Sequence, residues 1–331
     1  MRKLIVLVSF TFFTSSVFAQ HFPGFRSGNY TGVNAVFNNP ANIADSRYRW
    51  DVNLIAVHGN VGNSNGSFSL KDIETAFEND VDSILFGNST KKTSGIISAE
   101  IIGPSFMFNA GKKNSFAITS RARIIGNVSD IDGNLIKSID DENTNLPFTL
   151  NSNSNQKINA NGWSEIGVSF ARVLYNKGTH FLKAGITGKY LMGSTNAFVN
   201  INNLKGTLDE NLIGNVFLTN ASGRVAVGIS GIDFDNAKAS DFFSSKGSGI
   251  GVDLGVVYEY RPEGEKFNSG QNKYKLKVGL ALLDIGAIGY KPASDEFGDY
   301  TINVPSGSQW NPSDLEDKSI SEIKTYLDAS P

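Results

Sequence analysis

The sequence of 331 residues predicts an all-β fold, an antiparallel outer-membrane β-barrel with an N-terminal plug and short helical insertions. Three observations carry that expectation. Residues 1–19 read as an export signal, and Gly247–Ile288 reads as two long strands of alternating polarity. No other apolar run is long enough for a membrane helix. In the first strand Ile250, Val252, Leu254, Val256, Tyr258 and Tyr260 take every second position, between Gly251, Asp253, Gly255, Val257 and Glu259. In the second, Tyr274, Leu276, Val278, Leu280 and Leu282 alternate with Lys275, Lys277, Gly279 and Ala281. A strand turns successive side chains to opposite faces, so each run has one apolar face and one small or charged face. Each is about ten residues long, enough to cross a bilayer at a tilt, whereas strands of soluble sandwiches run about five or six. Tyr258, Tyr260 and Tyr274 fall at strand ends, where an interfacial girdle is expected. The two runs are joined through Arg261-Pro262-Glu263-Gly264, because proline cannot continue a ladder.

Met1–Ala19 has a basic start at Arg2 and Lys3, an apolar run from Leu4 to Phe13, and Val17-Phe18-Ala19 as a cleavage site. The chain has no cysteine, which excludes a lipoprotein anchor, disulfides and thiolate metal sites. An exported chain without cysteine suits a bacterial envelope. The formal net charge of −2 argues against a nucleic-acid partner. A slightly negative mean hydropathy is compatible with a barrel, since lumen-facing residues dilute the apolar signal. Cell outer membrane is therefore the expected location, with its lipid bilayer as the first partner.

The expected organisation is a signal peptide at 1–19, a plug segment at 20–49, a barrel at 50–310 and a C-terminal helical segment at 311–331. Gln20–Ala44 is rich in Gly and Asn, and Asn39-Pro40 marks a turn. Its aromatic residues favour a compact plug, with a free mature N-terminus as the alternative. The candidate plug and lumen residues are Phe22, Phe25, Phe37, Asn38, Asn39, Pro40, Ala41 and Asn42. Trp50–His58 begins the first strand, with Trp50 as an interface anchor. Asp72–Phe86 carries Ile73, Phe77, Val81 and Ile84 at helical spacing. Gly95–Ala110 and Asn114–Gly126 read as a hairpin turning at Gly111–Asn114, with Glu100 on the face of Ile102, Phe106 and Phe108. Asn127–Asn161 reads as a long polar loop. Trp163–Tyr175 and Phe181–Met192 form the next hairpin, joined at Asn176-Lys177-Gly178, with Arg172 on the apolar face. Phe198–Leu204 and Gly223–Gly231 add strands, and Ser313–Asp328 reads as a helix opened by the capping box Ser313-x-x-Glu316.

Chemistry is sparse. His21, His58 and His180 stand far apart, and no metal, phosphate or nucleophile motif is present. Asp130-Ile131-Asp132-Gly133-Asn134 lacks the further ligands an EF-hand needs and reads as a turn. Gly247-x-Gly249-x-Gly251 enters a strand, so no helix dipole waits for a phosphate. Asp253, Glu259 and Asp284 read as solvated lumen charges. No catalytic residue, cofactor or metal is expected.

The stretches WSEIGVSFARVLYNKGTHFLKAGITGKYLMG, GVDLGVVYEYRP and KLKVGLALLDIGAIGYK resemble strand signatures of Bacteroidota outer-membrane barrels of unknown function, often fused to an OmpA-like domain. Asn38-Asn39-Pro40-Ala41 is similar to the N-terminal segment of the wider FadL/PorV-like barrels. That resemblance implies an N-terminus inside the barrel. It implies either passive transport or binding of small apolar molecules, as with long-chain fatty acids in FadL, or a non-catalytic interaction barrel for envelope assembly or type IX secretion. About nine or ten strands followed by a helix cannot close a barrel of that type. The expectation is thus a truncated portion of a longer barrel, its strand near Trp50 unpaired with the last one.

Overall fold

The computed structural model describes residues 26–64, 92–132, 146–151, 155–211, 215–230, 246–262, 272–290, 297–315, 318 and 320–329. The signal segment, Phe22, Phe25, the amphipathic stretch at 72–86, Gly133, Asn134 and Glu316 lie outside the described residues.

The alternating runs form one antiparallel sheet of 12 strands. They are β1 (Trp50–Asn53), β2 (Ala56–Asn63), β3 (Lys92–Ile102), β4 (Ser105–Ala110), β5 (Asn114–Asp132) and β6 (Phe148–Asn151). Then follow β7 (Asn155–Lys177), β8 (His180–Glu210), β9 (Val216–Ser230), β10 (Gly247–Tyr260), β11 (Leu276–Tyr290) and β12 (Phe297–Val304). Interrupted strands share a lane, so the path β1-β4-β5-β7-β8-β10-β11 has seven lanes. β2 extends the lane of β1 along β3, and β3 and β4 together flank β5. β9 extends the lane of β10 along β8, and β12 extends that of β11 along β9. Neighbouring lanes run in opposite directions, an up-and-down meander. Among the described residues the sheet does not close: β1 and β2 pair only with β4 and β3, and β11 only with β10.

At one end, here called proximal, β4 turns into β5 and β7 into β8. Gly111 and Gly178 have φ of 75° and 58° there, a left-handed backbone that glycine adopts without a Cβ penalty. From this end each lane presents about ten residues with an apolar outer face, the reach of a strand through hydrocarbon. On β7, Ile166, Val168 and Leu174 are exposed while Glu165, Ser169 and Ala171 are buried. On β10 and β11, Leu254, Val256, Val278 and Leu280 are exposed and Asp253 and Gly255 buried. Phe106, Phe108, Phe116 and Phe170 line up across the three lanes of β4, β5 and β7 as an outer aromatic row, with ring centroids 5.1–5.9 Å apart. The outer faces of these strands are therefore apolar, while the inner faces bury charged and polar groups alongside an apolar patch.

The distal half obeys the opposite rule. Leu150, Leu204, Leu208, Val216 and Leu218 form a buried core under Phe148, Ile302 and Trp310. Helix α1 (Ile320–Ala329) is tied to it by Tyr300 Oη donating to Asp328 at 2.5 Å and Trp310 Nε1 donating to Tyr326 Oη at 3.1 Å.

Several sequence expectations are corrected. Asn127–Asn161 is not a structureless loop, because β5 runs on to Asp132, β6 pairs with β8, and β7 already begins at Asn155. Phe198–Leu204 is no separate strand but part of the unbroken β8, 31 residues long. Glu100 does not share a face with Phe106 and Phe108: the break at Gly103-Pro104 shifts the alternation, leaving Glu100, Ile102 and Met107 inside and both phenylalanines outside. A break at Leu54-Ile55 likewise divides the first strand, which continues beyond His58 to Asn63. Tyr274 is not in a girdle; its hydroxyl donates to Asn29 of the N-terminal segment at 2.9 Å. The single C-terminal helix is a 3-10 turn at Pro312–Leu315 followed by α1.

Candidate functional site

The concave face of the sheet holds the N-terminal segment, folded as 3-10 helices at Gly32–Phe37 and Pro40–Ile43. The first is fixed at its start by the Asp51 carboxylate of β1, which accepts the Val33 N–H at 2.8 Å. Gly32 has φ of 62° there, and a Cβ would collide with that carboxylate. Val33, Val36, Ile43 and Ala44 pack on Met107, Ala117, Ala171, Val173 and Phe181 of the wall. These apolar inward residues at the proximal end make the socket.

Asn39 connects this segment to the far lanes. Its Oδ1 accepts the Ala41 N–H at 2.9 Å as an N-cap, and Pro40 supplies the first helical residue. Its Nδ2 donates to the carbonyls of Val256 on β10 and Leu280 on β11, at 3.3 and 3.1 Å. The amide is thereby satisfied at both ends while only 4 % exposed. Wall glycines permit the approach: a Cβ on Gly185 would lie 2.5 Å from the Ala41 nitrogen, and one on Gly255 would overlap the Asn39 amide. Of the predicted plug residues, Phe37, Asn39, Pro40 and Ala41 are buried, and Asn38 and Asn42 half-buried beside them.

Around this segment the inner face is an ion-pair network. Glu100 of β3 accepts from Arg26 of the N-terminal segment, from Arg121 at 3.1 Å, and contacts His58 at 2.9 Å. Glu165 accepts from Arg121 Nε at 2.5 Å and Trp163 Nε1 at 3.3 Å. Asp284 of β11 reaches across to Arg121 and Arg123 of β5 at 3.1 and 2.8 Å, and to Lys189 of β8 at 2.5 Å. Asp284 has φ of 58°, at a register shift opposite Asp253, whose carboxylate accepts the Asp284 N–H at 2.6 Å. Nearer the proximal rim, Asp45 binds Arg261 at 2.7 Å and Lys273 at 3.0 Å, and Lys183 donates to the Ala44 carbonyl at 2.8 Å. Phe37 lies between the guanidiniums of Arg26 and Arg121, 5.4 and 4.9 Å from its centroid. The reading of Asp253 and Glu259 as solvated lumen charges is thus corrected: both are buried and ion-paired.

Distal to the network the concave face opens into a cleft of about 600 Å³. Arg123, Glu165, Lys189 and Asp284 form its charged floor, and Ile125, Trp163, Leu191, Ile288 and Tyr290 line its walls. Among the described residues no cluster of three His, Asp or Glu is arranged to hold a metal ion.

One family's sequence profile matches residues 40–328, from the Pro40 turn to helix α1. The chain belongs to the family of unknown function DUF5723. No curated protein and no solved structure matches it. Asn39 itself precedes this DUF5723 match, whereas the wall that receives it lies within.

Sequence reading missed Arg26, Asp45 and the partners of Asp284. Arg121 and Arg123 offered a signal, since two arginines two apart on a strand share a face.

Proposed function

We propose that this DUF5723 chain is part of an outer-membrane β-barrel of FadL/PorV-like type, plugged by its N-terminal segment, that binds small apolar molecules or passes them passively. The observation that carries the membrane reading is the inverted polarity of the proximal half. An apolar outer belt about ten residues deep around a buried ion-pair network is unfavourable in water and favourable in lipid. The export signal and the tight turns at one end agree with a periplasmic proximal side. The cleft supports the ligand reading. Its walls offer apolar and aromatic surface above a charged floor.

A second reading is favoured by the distal core. A separately packed, polar-surfaced layer at the end away from the turns is a platform for another protein, which suits a non-catalytic scaffold in envelope assembly or type IX secretion.

Two measurements decide. Fractionation of cells is expected to place the protein in the outer membrane, and recovery as a soluble periplasmic protein would sink the membrane reading. Purified protein in vesicles is then expected to bind an apolar fluorescent dye, with Leu191→Arg in the cleft reducing that binding at least tenfold. A wild-type protein that binds no dye leaves the scaffold reading in place.

A further inference from the structure

The edges of the sheet carry an inference that builds on the membrane reading. β1 and β2 form one edge and β11 the other, and among the described residues no strand pairs with their outer sides. Both edges continue the apolar belt. Trp50, Val52 and Val57 are exposed on one, and Leu276, Val278, Leu280 and Ile285 on the other. The inner side of β11 is uncovered too: Gly279 and Asp284 are exposed, whereas Gly255 and Asp253 one lane away are buried. Unpaired backbone N–H and C=O groups do not persist in hydrocarbon, so these edges have a strand partner there.

Direction decides what that partner is. With seven alternating lanes, the first and last run the same way, from the proximal to the distal end. The two edges therefore cannot meet as antiparallel neighbours. A second copy inserted in the same orientation fails for the same reason, since its β1 would lie parallel to β11. An antiparallel closure needs an odd number of intervening strands, each outermost one running from distal to proximal. We infer that the seam between β11 and β1–β2 is filled by an odd number of strands of alternating polarity from outside the described residues, completing an even-stranded barrel around the plug.

Absence of native cysteine makes the test direct. Trp50→Cys, Val57→Cys, Leu276→Cys and Ile285→Cys, each on an exposed outer position, are coupled singly to a benzophenone maleimide in the native membrane, irradiated, and the cross-linked peptides sequenced. At each edge the two probes are expected to capture one amphipathic segment, in reverse order along its sequence. Capture of the opposite edge of the same chain, or of a second copy, overturns the proposal. So does capture of lipid alone, which still leaves the membrane reading standing. Recovery of the labelled protein in the soluble fraction overturns the membrane reading itself.

Discussion

The two halves of β8 bury different kinds of side chain. Between His180 and Gly193 its buried side carries Lys183 and Lys189 among Phe181, Thr187 and Leu191, with Ile186 and Tyr190 outside. Between Leu204 and Leu208 the buried side is leucine, set against Leu150 and Leu218. One strand thus passes from a region whose interior holds charged groups to a region with an apolar interior, with its register against β9 shifted at bulges between Asn202 and Thr207. In water burial of apolar surface drives packing, whereas in lipid an outward leucine is already in hydrocarbon and the interior can be given to polar groups. Alternation alone does not distinguish the two cases. Which alternate set is covered does.

The comparison can be broken most severely inside the proximal half. Arg121→Met leaves Glu165, Glu100 and Asp284 each short of a partner, with an expected loss of roughly 3–5 kcal/mol, read by urea unfolding in vesicles. A neutral result would mean that water fills the network. Next come paired truncations: Leu208→Ala in the distal core is expected to cost about 2–5 kcal/mol, and Leu280→Ala on the belt well under half of that. Equal costs would make the belt a buried protein surface. An arginine at Leu254 is expected to cost about 2–4 kcal/mol in vesicles, and its cost should shrink in polar detergent solution. Smaller again is Asn39→Asp, which sets a carboxylate against the Val256 and Leu280 carbonyls. It should cost about 1–3 kcal/mol and expose the N-terminal segment to protease, whereas Gly32–Phe37 of the wild type should resist it.

The mildest test lies in the distal half. Partial burial of the Tyr300 ring, and the hydrogen bond its hydroxyl gives Asp328, push the phenol up to about 12 from an ordinary value of 10.0. A raised folded-state value means that the neutral form stabilises. The contribution is complete below pH 10 and fades as pH rises through about 12. Docking of α1, followed by tyrosinate absorbance and helical circular dichroism, should weaken in that window. Tyr300→Phe should weaken it already at neutral pH and remove this part of the pH dependence.

How legible this was in the sequence depended on how regularly a segment alternates. β10 and β11 were plain because small or charged residues alternate there with Val, Leu and Ile, and the proximal glycine turns announced themselves. The distal part of β7 was not. Asn155, Lys157, Asn159 and Asn161 are polar, and Gln156 is buried on the other face, so the segment looks like a loop. The shift at Gly103-Pro104 was equally hidden, since a period-2 reading assumes an unbroken strand. The plug turn was readable from Asn39-Pro40, but its receptor was not. Gly185, Gly255 and Leu280 gather around it only once the three lanes of β8, β10 and β11 lie side by side. Likewise Arg121 and Asp284 are 163 positions apart and meet only because the sheet curls.

β8 also has a mechanical meaning. A strand rises about 3.3 Å per residue, so its 31 residues form a rod of roughly 100 Å, bonded along nearly its whole length to β7 on one side and to β9 and β10 on the other. A pull on its distal end along its axis loads those bonds together, in shear, rather than peeling them one by one. The same rod carries Lys183 and Lys189, which hold the Ala44 carbonyl and Asp284. Tension applied at the far tip is therefore shared with β7, β9 and β10 before it reaches the groups that hold the N-terminal segment, making β8 a tie rod braced by its neighbours.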